Sequence, residues 1–439
     1  MLRGGHVMAR TARGNAALGR RTFLKTAGVA GAGLALGGVP GRAPGQTKKH
    51  AVTIWIHFAG KNYEIITRLI DEFNQATPDV EVKHTSYGPQ EITPKYLAAV
   101  AAGSPPDVFH APGYVPPDFA VNKVIVPLDD LVRLDPTTYK NFDPITLYGG
   151  RRYGVPVNGG LGCMLYNLEL MEKAGLDPKR LPQTWDELGA VAAKMTNAAE
   201  GQWGLMLGNK PGFTTAQNYW AFLTGAGGEF FTPDGKASAF NSEAGLETLT
   251  FMADNVRARK ISPQKSYTDV EAWNEWGTRK VGSALLYPVF TANILATKVR
   301  SMTAPPPKKV KRGAHFAGNY WCISGLSKNK EAVAKFCQWW VQPAVSGRWA
   351  GESGALPNSQ AAADHPSFRE FLAKNPLGQA FLDTIPDARP FPGVVGLPAV
   401  LQIVSEMVEA AVIGGVPPKD ALARAASRAD QELKRAQKA

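Results

Sequence analysis

Period-two alternation opens the readable pattern of this chain. In Val52-Thr-Ile-Trp-Ile-His-Phe58, residues Val52, Ile54, Ile56 and Phe58 share one face, which predicts a half-buried strand. Gly60 closes it. The spacing then changes to threes and fours: Ile65, Ile66, Leu69, Ile70 and Phe73 make one stripe of a helix that Asn62 can cap. Pro78 blocks that helix and Val80-Glu-Val82 begins a second strand, so the segment reads as one βαβ unit. A second helix around Tyr96, Leu97 and Val100 leads into residues 104–109, where a third strand is expected to end, with a loop over 110–117. In open α/β sheets ligands bind beyond the carboxyl ends of the strands, which marks the loops 57–62, 87–91 and 110–114 as cleft walls.

The stretch 153–167, Tyr-Gly-Val-Pro-Val-Asn-Gly-Gly-Leu-Gly-Cys-Met-Leu-Tyr-Asn, joins two strand-like pieces through Gly159, Gly160 and Gly162. Glycine tolerates φ > 0 and large backbone rotations, so this crossing is read as a hinge between two lobes with a ligand cleft between them. After it, Thr184-Trp-Asp-Glu187 is a capping box opening a helix. Residues 203–207 read as a strand, 241–255 as a helix and 281–286 as a buried strand. A proline run at 305–307 and the basic run 308–312 make an exposed loop, and 318–323 is a second crossing strand. Ser327 is placed to cap a helix bearing Ala332, Val333, Phe336 and Trp340, and the last helix begins at Pro418, a favourable first-turn position. No repeat and no membrane-spanning run is visible.

Composition adds bounds. The 439 residues are enough for two lobes with their own cores, and 44% hydrophobic with 20% charged is ordinary for globular chains. The net charge is +12, but residues 1–45 carry seven basic groups and no acidic one, leaving +5 for the rest. The basicity is therefore in part a targeting signal and argues weakly for nucleic acid. Gly19-Arg-Arg-Thr-Phe-Leu-Lys25, followed by a Gly/Ala-rich apolar run too short to span a membrane, resembles a twin-arginine export signal, with the mature start placed at 44–48. That implies a destination outside the cytoplasm, the periplasm. Cys163, Cys322 and Cys337 show no metal spacing and no CxxC; buried thiols or at most one bridge are the readings they allow.

The landmarks occur in an order that resembles the family 1 extracellular solute-binding proteins of ABC importers, the maltodextrin-binding-like group. They are FNQATPDVEV, AAGSPPDVFHA, VIVPLDDL, YGVPVNGGLGCMLYNLELMEKAGLD, LPQTWDEL, DGKASAFNSEAGLETLTFMAD, GNYWCISGLSKNKEAVAKFCQWW, GALPNS and VEAAVIGGVPPKDALARA. The resemblance implies a two-lobed α/β periplasmic-binding fold of type II. Its expected parts are a signal at 1–45, an N-terminal lobe from 46–157 and 324–368, and a C-terminal lobe from 158–323 and 369–439. It also implies a monomer that delivers its ligand to the permease subunits of an ABC importer, without a cofactor. Where the family often carries Gly-x-Trp, this chain has Pro288-Val-Phe290, and Lys280-Val-Gly-Ser-Ala-Leu replaces the usual Lys-x-Ala-Met.

A sugar needs flat aromatics against its C–H faces and fixed amides or carboxylates for its hydroxyl rim. The candidates on the first lobe are Trp55, His57, Asn62, Gln90, Asp107, His110 and Tyr114, and on the hinge Asn158. Trp220, Trp273 and Phe290 are candidates for the second wall, and Asn319, Tyr320 and Trp321 for the second crossing. Each has a plainer reading beside it: sheet packing for Trp55, helix capping for Asn62, a strand-end cap for Asp107, helix packing for Trp220 and Trp273. Trp185, Trp339 and Trp340 read as core, and Arg151 with Arg152 as a solvated pair. The chain lacks GxxxxGK[ST], HExxH and GxSxG motifs and any Cys/His metal cluster. The competing readings are a binder of an anionic sugar derivative such as a sugar phosphate or glycerophosphodiester, an exported carbohydrate-active enzyme with paired carboxylates, an exported oxidoreductase and a ferric-ion binder; the last generally uses adjacent tyrosines, which do not occur here.

Overall fold

The computed structural model describes residues 49–88 and 91–438. The twin-arginine run and the apolar run after it lie outside the described residues. Strand β1 (His50–Ile56) pairs in parallel with β2 (Val80–Ser86) and with β3 (Val108–Pro112). The connecting helix Gly60–Ala76 lays Ile65, Ile66, Leu69, Ile70 and Phe73 on this sheet, as the three-four spacing requires. Its N-cap is Ala59 and no side chain caps it, so Asn62 lies inside the first turn and is free for another role.

After a short hairpin, β4 (Leu147–Tyr148) with β5 (Arg151–Arg152), strand β6 (Val155–Leu161) returns to the first sheet, whose order is β11-β10-β3-β1-β2 with β6 also on β10. Here β10 is Ala314–Ile323 and β11 is Ala388–Pro390. Gly162 alone separates β6 from β7 (Cys163–Asn167), and β7 is the centre of a second, antiparallel sheet between β8 (Ser283–Leu286) and β9 (Ser301–Ala304). The chain therefore passes from the first sheet to the second at this glycine. The expected strand at 203–207 is reduced to two bridges, Trp203 to Val281 and Met206 to Ala284.

Each sheet has its own apolar layer. Trp321, Phe336, Trp340 and Trp349 are fully buried on the first sheet. The helices Phe213–Gly225, Glu243–Arg257, Leu397–Val412 and Pro418–Ala436 cover the second lobe. Fully burying a large apolar side chain contributes roughly 1.5–3 kcal/mol, which makes these layers the main stabilising term. Thr184 accepts from the Glu187 amide, while the Glu187 carboxylate reaches the Gln183 amide one residue before the cap. Ser327 does not cap the helix Lys330–Trp340; Asn329 is at that position and Ser327 donates to Asp107. All three cysteines are free and buried, and burial pushes the Cys163 thiol up to about 12. Among the described residues no helix is long and apolar enough to cross a membrane.

The crossing glycines do not use the left-handed region; Gly159, Gly160 and Gly162 are absent from the residues with positive φ. Gly159 and Gly162 serve close approach instead. A Cβ on Gly159 would lie 2.8 Å from the Leu356 side chain, one on Gly162 3.2 Å from Leu285, and one on Gly318 2.8 Å from the Asn158 carbonyl oxygen. The two crossing strands are held against each other by hydrogen for Cβ.

Candidate functional site

β3 runs three residues further than its apolar pattern suggests, because β10 pairs with it as far as Pro112 while β1 pairs only Val108 and Phe109, and every one of its side chains is buried. This places His110 inside a central strand rather than on a loop. Its ring is fully buried, neither ring nitrogen has a partner among the described residues, and burial holds its pKa well below the usual imidazole range. His57 stacks on it with ring centroids 4.1 Å apart. His57 Nδ1 donates to the His110 carbonyl at 2.9 Å, and burial lowers the ring's pKa to about 4 against the hydrogen bonds that favour its charged form.

Asn319 lies on β10 opposite Asn158 on β6. Its Nδ2 donates to Asn158 Oδ1 at 3.4 Å, and Asn158 Nδ2 donates to the Gly159 carbonyl at 3.1 Å. Asn62, at the head of the first-lobe helix, donates to the carbonyl of Val289 at 2.8 Å, which joins the two lobes directly. Its Oδ1 is buried without a partner among the described residues.

Half-buried aromatics flank these amides. Trp55 meets Tyr87 edge-on at 4.7 Å, Tyr114 meets Phe213 across the lobes at 4.4 Å, and Trp273 meets Phe290 at 4.1 Å. Trp273 itself is nearly buried, its Nε1 donating to the Leu285 carbonyl. Burial raises the Tyr114 pKa to about 12, so its hydroxyl stays neutral.

Other expected residues face the interior. Asp107 ties β1 to the loop after β10: it accepts from the Thr53 amide and hydroxyl at 2.9 and 3.0 Å and from Ser327 at 2.6 Å. Trp321 is fully buried beside Trp340 and Phe336, Tyr320 is fully buried near Phe142, and Trp220 is stacked on Phe230 at 3.8 Å. Trp321, Tyr320 and Trp220, with His110, are lobe interior, because each points to a covered face of its strand or helix. Arg151 is paired with Asp129 and Asp130 and Arg152 with Asp143, so neither is an open anion clamp. Gln90 lies outside the described residues.

Sequence reasoning missed a polar chain in the second lobe. Asp269 is fully buried and accepts from the Gly208 amide at 2.9 Å and from Asn218 Nδ2 at 2.9 and 3.0 Å. Asn218 Oδ1 accepts from the Tyr287 hydroxyl at 3.0 Å. Burial raises the Asp269 pKa, against these donors. Gln217 bonds His315 Nε2 at 2.8 Å, and Phe391 packs on His315, Trp220 and Phe213. The adjacent Asn218 and Gln217 sit in an all-buried helix without amphipathic rhythm, and Tyr287 directly precedes the departing Pro288-Val-Phe290; those are the signals that were there. Among the described residues no group of three or more His, Cys, Asp and Glu could hold a metal ion.

Residues 59–346 match the family described as bacterial extracellular solute-binding protein. A probable amino-acid ABC transporter periplasmic-binding protein, y4oP, of Sinorhizobium fredii is 25% identical over 300 residues, covering 66% of this chain and 67% of that protein. The sn-glycerol-3-phosphate-binding periplasmic protein UgpB of Yersinia pseudotuberculosis is 24% identical over 418 residues, 88% of this chain and 93% of its own. An ABC transporter solute-binding protein of Thermotoga lettingae, solved bound with alpha-D-tagatose, matches with a TM-score of 0.81 at 26% identity over 88% of this chain and all of that one. The shared architecture is two α/β lobes of periplasmic-binding type.

Proposed function

The chain belongs to the bacterial extracellular solute-binding proteins, and from that premise we propose that it is the periplasmic substrate-binding component of an ABC importer that closes on a carbohydrate or carbohydrate derivative. The observation that carries this reading is the pair of neutral amides Asn158 and Asn319 facing each other on the two crossing strands, with Asn62 bonded across to Val289 and the half-buried rings of Tyr114 and Phe213 in contact. Such a set answers a guest with apolar C–H faces and a rim of hydroxyls. The mechanism is closure: a ligand that touches both lobes only when they are shut shifts the open–closed population by that differential affinity. The shut surface is what the permease subunits read. Export by the twin-arginine route, action as a monomer and the absence of turnover belong to the same proposal.

The test is a thermal-shift screen of the mature protein against neutral sugars, sugar acids, phosphodiesters and amino acids, with mass spectrometry of ligand retained on purification. Stabilisation by a sugar or sugar derivative, recovered unmodified, is expected. Stabilisation by an amino acid or a metal alone, or release of a chemically altered sugar, overturns it. A second reading, an anionic derivative as guest, has the similarity to UgpB in its favour, spanning 88% of the chain.

A further inference from the structure

The second lobe encloses a small cavity that takes no lining from the crossing strands. Asn255, Tyr267, Ser262 and Asn209 supply its polar wall, and Met252 and Val412 part of its apolar one. All six are buried, and the free space is about 10 Å³, the room one water molecule needs. Asn255 stands on the core face of the helix Glu243–Arg257, in step with Leu249, Met252 and Val256. An amide in that position is unfavourable unless it is hydrogen-bonded. Neither its Oδ1 nor its Nδ2 has a partner among the described residues. The Tyr267 hydroxyl, fully buried on the same cavity, has none either. The two groups are chemically complementary, yet they are not bonded to each other. Their polar neighbours are already committed. Ser262 spends its hydroxyl hydrogen on the Leu205 carbonyl at 2.6 Å. Asn209 accepts from the Tyr267 amide at 3.1 Å and donates to the Lys265 carbonyl at 3.3 Å. No charged side chain lines the cavity, so a metal ion would meet no counter-charge there.

We propose that this cavity is a binding site for one water molecule, which bridges Asn255 to Tyr267 and so ties the helix Glu243–Arg257 to the loop that precedes the helix Asp269–Glu275. A water carries two hydrogens and two lone pairs, enough to serve the amide and the hydroxyl at once, with the Ser262 oxygen on the same wall left to accept. The tie matters by its position. The loop is bonded to the segment 205–210 through the Tyr267 carbonyl, which accepts from the Asn209 and Lys210 amides at 2.9 and 3.0 Å. At its start, the Ile261 amide donates to the Asn255 carbonyl at 2.9 Å. The water adds a second link between the same helix residue and the far end of the loop. Directly after Tyr267, the Thr268 capping box opens the helix that carries Asp269 and Trp273. The bridge therefore braces the root of the Asp269–Asn218–Tyr287 chain, whatever the cleft binds.

Two measurements test it, and neither needs a ligand for the cleft. A high-resolution crystal structure of the mature protein is expected to show one ordered water within hydrogen-bond distance of both Asn255 and Tyr267. A cavity without density, a direct bond between the two side chains, or an occupant other than water overturns the proposal. Melting of variants gives an independent sign. Two buried polar groups that bind nothing are liabilities, and deleting either one raises the melting temperature; two groups completed by a shared water behave in the opposite way. Tyr267→Phe removes only the hydroxyl and is expected to lower the melting temperature by about 1–3 °C. Asn255→Leu is expected to lower it similarly, and the double variant to lose clearly less than the sum, because both changes break one bridge. A rise in both single variants, or losses that add in full, overturns the tie between helix and loop. Should Asn255→Leu fail to fold, the density of the parent protein and the sign of the Tyr267→Phe shift decide the matter between them.

Discussion

Asp107 and Asn62 show how little a side chain's chemistry says about its employment. Both are polar residues at strand or helix ends, and both suit a sugar hydroxyl. Asp107 is consumed by Thr53 and Ser327 and staples β1 to the turn after β10, whereas Asn62 leaves its own helix uncapped to reach Val289 in the other lobe. Asp107→Ala is therefore expected to lower stability by about 1 kcal/mol in urea titrations while leaving ligand affinity within error, because it removes the acceptor of the Thr53 amide, the Thr53 hydroxyl and the Ser327 hydroxyl without touching the crossing. An equal loss of affinity would return Asp107 to the site. Residue type and neighbourhood were legible in the chain at both positions. Which partner each residue takes was not, since the partners stand 54, 220 and 227 positions away.

Among the elements, β1 and the first helix follow directly from their spacing, and β3 does not. A strand covered on both faces has no alternation to read, so its end at Pro112 is set by pairing with β10 rather than by pattern. That shift of three residues moved His110 from a loop into the sheet. The crossing was visible as a cluster of glycines, but the physical reason differs from the expected one: the glycines are there for contact distance. Gly318→Ala sets a methyl 2.8 Å from the Asn158 carbonyl and 2.7 Å from Phe142, which is expected to lower the melting free energy by about 1–3 kcal/mol. Gly160, with only contacts at 3.8 Å or more, is the control, and Gly160→Ala is expected to be near neutral in the same melt.

For the whole molecule, three buried imidazoles set a pH edge. His57 and His315 have their pKa lowered to about 4 and about 3, and that of His110 is held well below the usual imidazole range, in each case chiefly by burial. A lowered imidazole pKa means that the unfolded chain binds the proton first, so stability is complete above the ordinary value of 6.5 and is lost as pH falls from there toward 4. The shift at His57 alone corresponds to about 3 kcal/mol by the end of that window. The melting temperature is expected to drop between pH 6.5 and 4, and less steeply in His57→Gln; an identical slope in that variant would remove His57 from the account. The lobes themselves are expected to loosen in Asn62→Ala, which deletes the bond to Val289: small-angle scattering without ligand should give a larger radius of gyration than the parent, and the same radius would show that the bond does not hold the lobes together.

The three unbridged sulfurs are distributed unevenly. Cys163 lies on the central strand of the second sheet, bonded to Ala380 and Thr384, while Cys322 lies on β10 of the first sheet and Cys337 on the helix Lys330–Trp340. A maleimide added to the native protein has no surface target among them, so alkylation reports breathing rather than exposure. Peptide mapping over time would then read two stopwatches in one molecule, Cys163 and Cys322 in one apolar core and Cys337 in another, and would reveal whether a guest slows both or only one of them.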